Sequence, residues 1–326
     1  MTMRAPVLAL PCVAAAVAAC SGAPGNTLIA GDGGGSDGGN GADVGSFGDS
    51  SSSDDGGGTA LIYANTDTEL YSMDPSSHVL TDIGPFDDGS GSAPVITDLA
   101  VDGNDDVWVN SETAIYRATL PSSGTGPVKI ALQTQLGTST KFYALGFTPA
   151  GVLQTGESLI AGDSVGDLYF IDATQSSSTP QRLGNFGSAS GGGTWGLSGD
   201  VVFYTLAGTA RGLATIRTSS GSKNDTLAEI NMDLLKQAYV SKTPATTLLK
   251  QLVGASGTGY GRLFGVGAWG NSVYAFSRVG TGGSPPAQLV QIGAAGTGTV
   301  LQSFANIASG WSGAGVTTKA SVTVVQ

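Results

Sequence analysis

The stretch Gly162-Asp163-Ser164-Val165-Gly166 fits the G-x-S-x-G pattern, in which a serine on a sharp turn acts as an acyl-transfer nucleophile. Such a serine needs a strand-to-helix turn and a histidine to take its proton. Here both flanks are strand-like, Leu159-Ile160-Ala161 before and Leu168-Tyr169-Phe170-Ile171 after, and the one histidine, His78, sits in the polar turn Pro75-Ser76-Ser77-His78. The pattern therefore reads as a hairpin turn built of residues that accept turn geometry. One histidine and two cysteines also argue against zinc sites made from those ligands.

The acidic residues are the next candidates. Asp102-Gly103-Asn104-Asp105-Asp106 opens like a calcium loop, but Val107 stands where a glycine is needed and Thr113 where a bidentate glutamate is needed. It reads as a turn between ITDLAVD at 96–102 and DVWVNS at 106–111. A metal, with calcium as the ion, would instead call for convergence of Asp98, Asn104 and Asn271, yet these occupy no common place in the repeat described below. Aromatic residues are more regular. Counting back two from Leu99, Leu145, Leu197 and Val266 gives Thr97, Tyr143, Trp195 and Phe264, with Trp311 near the same place in the last strand. A spacing of two puts each on the face of its apolar neighbour, so these side chains either pack between sheets or reach a rim where a ligand can stack on them.

The elements that must position these residues form a repeat. LYSMD at 70–74, IYRAT at 115–119, LYFID at 168–172, LAEIN at 227–231 and LVQIG at 289–293 share a strand pattern. Around three of them the chain gives four short strands in order: from Ile96, Asp106, Ile115 and Val128; from Tyr143, Ser158, Leu168 and Arg182; and from Leu263, Ser272, Leu289 and Val300. About fifty residues per four strands, with 52 glycines and 12% charged residues, predicts an all-β chain. The spacing is that of β-propeller blades. The fourth unit is irregular: TWGLSGDVVFY at 194–204 reads as two strands, GLATIR and LAEIN both fit the third strand, and DLLKQA at 233–238 reads as a short helix before TTLLKQL. The first unit lacks an innermost strand, which WSGAGVTTKASVTVV from Trp311 can supply. The expectation is a single propeller of five blades, with six as the alternative, closed by the carboxy-terminal strand joining the first blade. ASVTVV is one strand more than that scheme holds.

Residues 1–58 do not belong to this body. Arg4, the apolar run Val7 to Ala19 and the small residues before Cys20 have the order of an export signal. The apolar run is shorter than the ~20 residues of a spanning helix. Val17-Ala18-Ala19-Cys20 resembles a bacterial lipobox, and that resemblance implies cleavage before Cys20, a lipid on its thiol and a mature chain without a free thiol. It further implies membrane attachment through that lipid, with Ser21 leaning toward the outer membrane, on its surface or periplasmic face. Residues 20–58 are Gly, Ser and Asp with little to bury, a tether whose root-mean-square span is roughly 35 Å. The domain then runs from 59 to 326.

The 14 Lys and Arg against 25 Asp and Glu, a formal charge of -11, exclude nucleic acid as an expected partner. As a whole the chain resembles the propeller lipoproteins of Gram-negative bacteria. The resemblance implies a monomer that presents its propeller for non-catalytic binding of a glycan, a peptide or an envelope partner, with Tyr143, Trp195, Phe264 and Trp311 as first candidates. A propeller hydrolase or lactonase with a channel metal, and a structural envelope component, are the competing readings.

Overall fold

The computed structural model describes residues 61–219, 224–254, 261–279, 287–293 and 296–323, all within the unit Gly56–Gln326. The signal segment, the lipobox with Cys20 and the tether lie outside the described residues. The chain is almost wholly β. β1 (Ile62–Asn65), β2 (Glu69–Met73) and β3 (Leu80–Asp87) form the first meander. β4 (Asp98–Val101), β5 (Val107–Asn110), β6 (Ala114–Thr119) and β7 (Val128–Leu136) form the second. β8 (Phe142–Thr148), β9 (Ser158–Asp163), β10 (Leu168–Ile171) and β12 (Gln181–Gly184) form the third, with β11 (Ser177–Ser178) added to the edge of β7. β13 (Trp195–Leu206), β14 (Thr209–Thr218), β15 (Thr226–Ile230), α1 (Met232–Ser241) and β16 (Leu249–Leu252) make up the fourth; β17 (Arg262–Trp269), β18 (Ser272–Val279), β19 (Ala287–Ile292) and β20 (Gly298–Phe304) the fifth.

The last strand, β21 (Gly313–Val316), pairs antiparallel with β1, from Ile62 opposite Val316 to Asn65 opposite Gly313. The order β21-β1-β2-β3 therefore joins the carboxy-terminal strand to the first meander, and β3 pairs in parallel with β7, so that the first two meanders share one nine-stranded sheet. The first strands of the meanders, β4, β8, β13, β17 and β21, pack side by side in that order, and β21 also lies against β4. The strand pattern singled out in LYSMD, IYRAT, LYFID, LAEIN and LVQIG is in every case third when counted from the first strand of its meander, β21 being the first for LYSMD. ASVTVV adds no ladder: among its described residues Val322 makes single bridges to Leu206 and Gly270.

The fourth meander differs from the expectation. TWGLSGDVVFY is one strand, β13, and GLATIR lies in the second strand, β14. The reason is a bulge: β13 pairs with β14 up to Leu197 opposite Ile216 and resumes at Val201 opposite Ala214. Residues 198–200 leave the ladder, which bends the strand and re-aims their side chains. The helix does form, its first turn capped by Asn231, whose side chain accepts from the Leu234 N–H.

Candidate functional site

Two constellations stand where the first strands converge. One is on the axis. Asp98 begins β4 and Asp200 leaves the β13 bulge; both are fully buried, and their carboxyl groups are hydrogen-bonded to each other. Their oxygens accept backbone N–H groups from all five first strands. Leu99 and Leu145 donate to Asp98, and Val201, Val266 and Ala314 donate to Asp200. These donors hold equivalent places, and the residue before each is Asp98, Ala144, Asp200, Gly265 or Gly313. Two of the five supply acceptors and three are small enough to admit them; a β-carbon on Gly313 would overlap the Asp98 carboxyl.

Burial pushes both carboxyls well above the ordinary carboxylate range, and at Asp98 the neighbouring Asp200 charge adds to it. Two touching carboxyls in a dry interior cannot both ionise, so the pair holds a proton between them. Near it lies a small void of about 10 Å³ between Leu145, Phe147, Val201 and Val266, room for no more than one water.

This arrangement does not suit a channel metal. The lone pairs of both carboxyls face N–H donors rather than an empty centre. Asn104 and Asn271, expected beside Asp98, occupy exposed turns beyond the far ends of β4 and β17 and do not approach it. Among the described residues no three of His, Cys, Asp and Glu are grouped to hold a metal.

The second constellation is a cavity of about 580 Å³ at the starts of β8, β13 and β17, lined by Tyr143, Val165, Leu197, Arg217, Arg262 and Phe264 among others. Two guanidinium groups, of Arg217 and Arg262, stand in its wall, and a third, of Arg278, lies against the lining Phe264 ring. Arg217 pairs with the buried Asp225 at 3.1 Å and donates to Ser198 Oγ. Arg278 donates through both Nη atoms to Asp67, each at 2.9 Å, and to Ser312 Oγ. Burial alone would raise the Asp67 carboxyl, but Arg278 and Ser312 hold it below the usual range. Arg262 lies between them. Its guanidinium stands 5.5 Å from the centre of the Phe264 ring and that of Arg278 5.4 Å from the same ring, so Phe264 carries two cations. Arg262 has no carboxylate within ion-pair distance among the described residues, and its buried Nε has no hydrogen-bond partner. Burial, then the charge of Arg217, with that of Arg278 added, makes its cationic form less favourable than that of a free guanidinium, although the Asp225 carboxyl, already paired with Arg217, offsets part of this.

The expected aromatic set divides. Tyr143 lines the cavity and donates its hydroxyl to Glu112 Oε1 at 3.0 Å. Phe264 lines it too, but its ring is occupied by the arginines. Trp195 is half-buried and packs on the core of the third and fourth meanders, although its neighbours Thr194 and Gly196 reach the cavity. Trp311 is a core residue: it is 0% exposed and meets Tyr71, Phe276 and Phe304 edge to face at 5.1, 5.4 and 5.7 Å. Thr97 joins two meanders, its Oγ1 donating to the Phe142 carbonyl at 3.0 Å.

The turn motifs are structural. Asp163 Oδ1 accepts the N–H groups of Val165 and Asp167, closing the β9–β10 hairpin, and Ser164 is simply exposed on it. His78 lies instead in the β2–β3 turn, 3.2 Å from the Tyr274 hydroxyl. Asp102 repeats the Asp163 arrangement, its Oδ1 accepting from Asn104 and Asp106 and its Oδ2 from the Trp108 indole at 3.1 Å. Residue by residue, Asp200, Arg217, Arg262 and Arg278 escaped the sequence reading. A signal was present for two of them: Arg217 and Arg278 each end the second strand of a sheet.

No family model and no curated protein matches this chain. Among solved structures, a protein of unknown function from Bacteroides caccae is similar at a TM-score of 0.43 and 8% identity, covering 79% of this chain and 99% of that one. A chain of the Mitotic Checkpoint Complex matches at a TM-score of 0.34 and 12% identity, covering 75% of this chain and 64% of that one. The Dos1 propeller matches at a TM-score of 0.36 and 10% identity, covering 72% and 60%.

Proposed function

We propose that this protein is an envelope lipoprotein, anchored by a lipid on Cys20 and extended on its Gly/Ser/Asp tether. Its body is a five-bladed β-propeller closed by β21, and it binds a ligand without catalysis in the cavity at the starts of β8, β13 and β17. The cavity carries the binding reading. Its volume of about 580 Å³ falls in the range of small-molecule and short-oligomer sites. The carboxylates joined to its wall residues serve cations, Asp225 holding Arg217 and Glu112 holding Lys141, and Asp67 beyond them holds Arg278, so none of the three stands free as a general base. The pairing of β21 with β1 and the packing of five first strands in sequence support the closed five-bladed reading.

The site is tested by placing a charge at its mouth. Val165 is 66% exposed there, so Val165→Asp leaves the fold intact. A ligand selected on glycan and peptide arrays loses binding to that variant. Calcium-dependent turnover of lactones by the wild type would overturn the non-catalytic reading. For the anchor, Cys20→Ser releases the protein from membranes and ends its labelling by radioactive palmitate.

A further inference from the structure

We infer that the ligand of this cavity is an acidic saccharide, whose carboxylate or sulfate group pairs with Arg262 while its hydroxyls meet the hydroxyl groups around it. The inference rests on the reading of the cavity as a binding site. It starts from a charge count within the site. Of the three guanidiniums at the site, Arg217 and Arg278 are ion-paired with carboxylates, and Arg262, which shares the Phe264 ring with Arg278, has no ion pair among the described residues. A half-buried cation between two like charges is held at an energetic cost that an entering anion relieves. The chain as a whole has the opposite balance, 25 Asp and Glu against 14 Lys and Arg, so this gathering of cations is a local feature rather than a sample of the surface.

Arg262 lines the cavity, and the part of its planar guanidinium that reaches the space offers the paired N–H donors that recognise an oxyanion. Ser164, Thr194 and Thr218 line the same cavity, as a polyhydroxylated body requires. The Phe264 ring is already occupied by guanidinium groups, which leaves charge and hydroxyl pairing, rather than stacking on that ring, as the means of selection. A neutral sugar would leave Arg262 with only the longer-range attraction of Asp225 and gain little there.

The test uses the mature chain and four probes in isothermal titration: trigalacturonate, a sulfated heparin disaccharide, uncharged maltotriose and pentaglutamate. One of the two acidic saccharides binds at least about tenfold more tightly than maltotriose, and which one identifies the oxyanion. Arg262→Gln removes that advantage, and Arg262→Lys, which keeps the charge without the paired donors, restores part of it. Thermal unfolding of both variants within a few degrees of wild type shows that they fold. Equal binding of maltotriose, equal binding of pentaglutamate, or full affinity in a folded Arg262→Gln each overturns the inference. In the first of these cases Val165→Asp still abolishes binding, so the cavity reading stands. Binding that ignores Val165→Asp overturns the cavity reading itself.

Discussion

A carboxylic acid removed from water keeps its proton, and at Asp98 and Asp200 that rule becomes a dependence of stability on pH. Their folded-state affinities for protons lie well above those of the unfolded chain, so between the two the folded form holds protons that the unfolded form has released. The sign follows: this stability is complete below the ordinary carboxylate range near pH 4 and is lost as pH rises toward the folded-state values. Each unit of rise across that window costs about 1.4 kcal/mol per retained proton. Urea midpoints of the wild type should therefore fall from pH 4 upward, and Asp98→Asn/Asp200→Asn should flatten that fall. Asp200→Ala has a different effect at every pH. It strands the N–H groups of Val201, Val266 and Ala314 and leaves Asp98 without its partner, and the expected loss is roughly 3 kcal/mol or more. Trp311 is subject to packing alone: Trp311→Ala should cost about 3–5 kcal/mol in the same measurement. Tyr143→Ala, at the half-buried cavity wall, should cost far less and alter binding instead.

At the scale of elements, the bulge in β13 decides both the site and what the sequence could reveal of it. It carries Gly199 against the Leu263 carbonyl of β17, where a β-carbon would overlap backbone. Gly199→Ala should accordingly lower the urea midpoint sharply, whereas Gly191→Ala, where a β-carbon meets open space, should leave it unchanged. The same bulge explains the misplaced aromatic. Equivalent positions in the other first strands are Leu99, Leu145, Val266 and Ala314, and the residue that matches them in β13 is Val201, not Leu197. Counting back two from Leu197 selects Trp195; counting from Val201 selects Gly199. Three residues out of the ladder break a period of two, and no apolar pattern marks where they are inserted. Strands with intact alternation were legible, as was the helix of the fourth meander, because periodicity and an Asn cap are local properties. The arginine cluster was not: Arg262 and Arg278 meet across the irregular end of the β17–β18 ladder, and Arg217 joins them only through the packing of the fourth sheet against the fifth.

For the whole molecule, the question is what holds the packed meanders together when each rests chiefly on its neighbours. Here β21 does more than fill a gap in the first sheet. It pairs with β1, packs against β17 and β4, places the Ala314 N–H on Asp200, and follows Trp311, which joins Tyr71 of the first sheet to Phe276 and Phe304 of the fifth. Removing residues 311–326 therefore exposes the β1 edge, unseats the indole and leaves the axial acids short of a donor. Such a chain should lose its near-ultraviolet circular dichroism and elute as aggregates in gel filtration. The decisive comparison is a circular permutant in which residues 311–323 precede residue 61 through a short Gly/Ser linker. The β21–β1 hairpin is then local in sequence, the edge is paired and every contact of the closing strand is retained. The permutant should recover the native spectrum and the pH dependence set by Asp98 and Asp200. A truncated chain that stays monomeric with a native spectrum would mean that the sheets hold together without β21, and that its pairing with β1 adds little to stability.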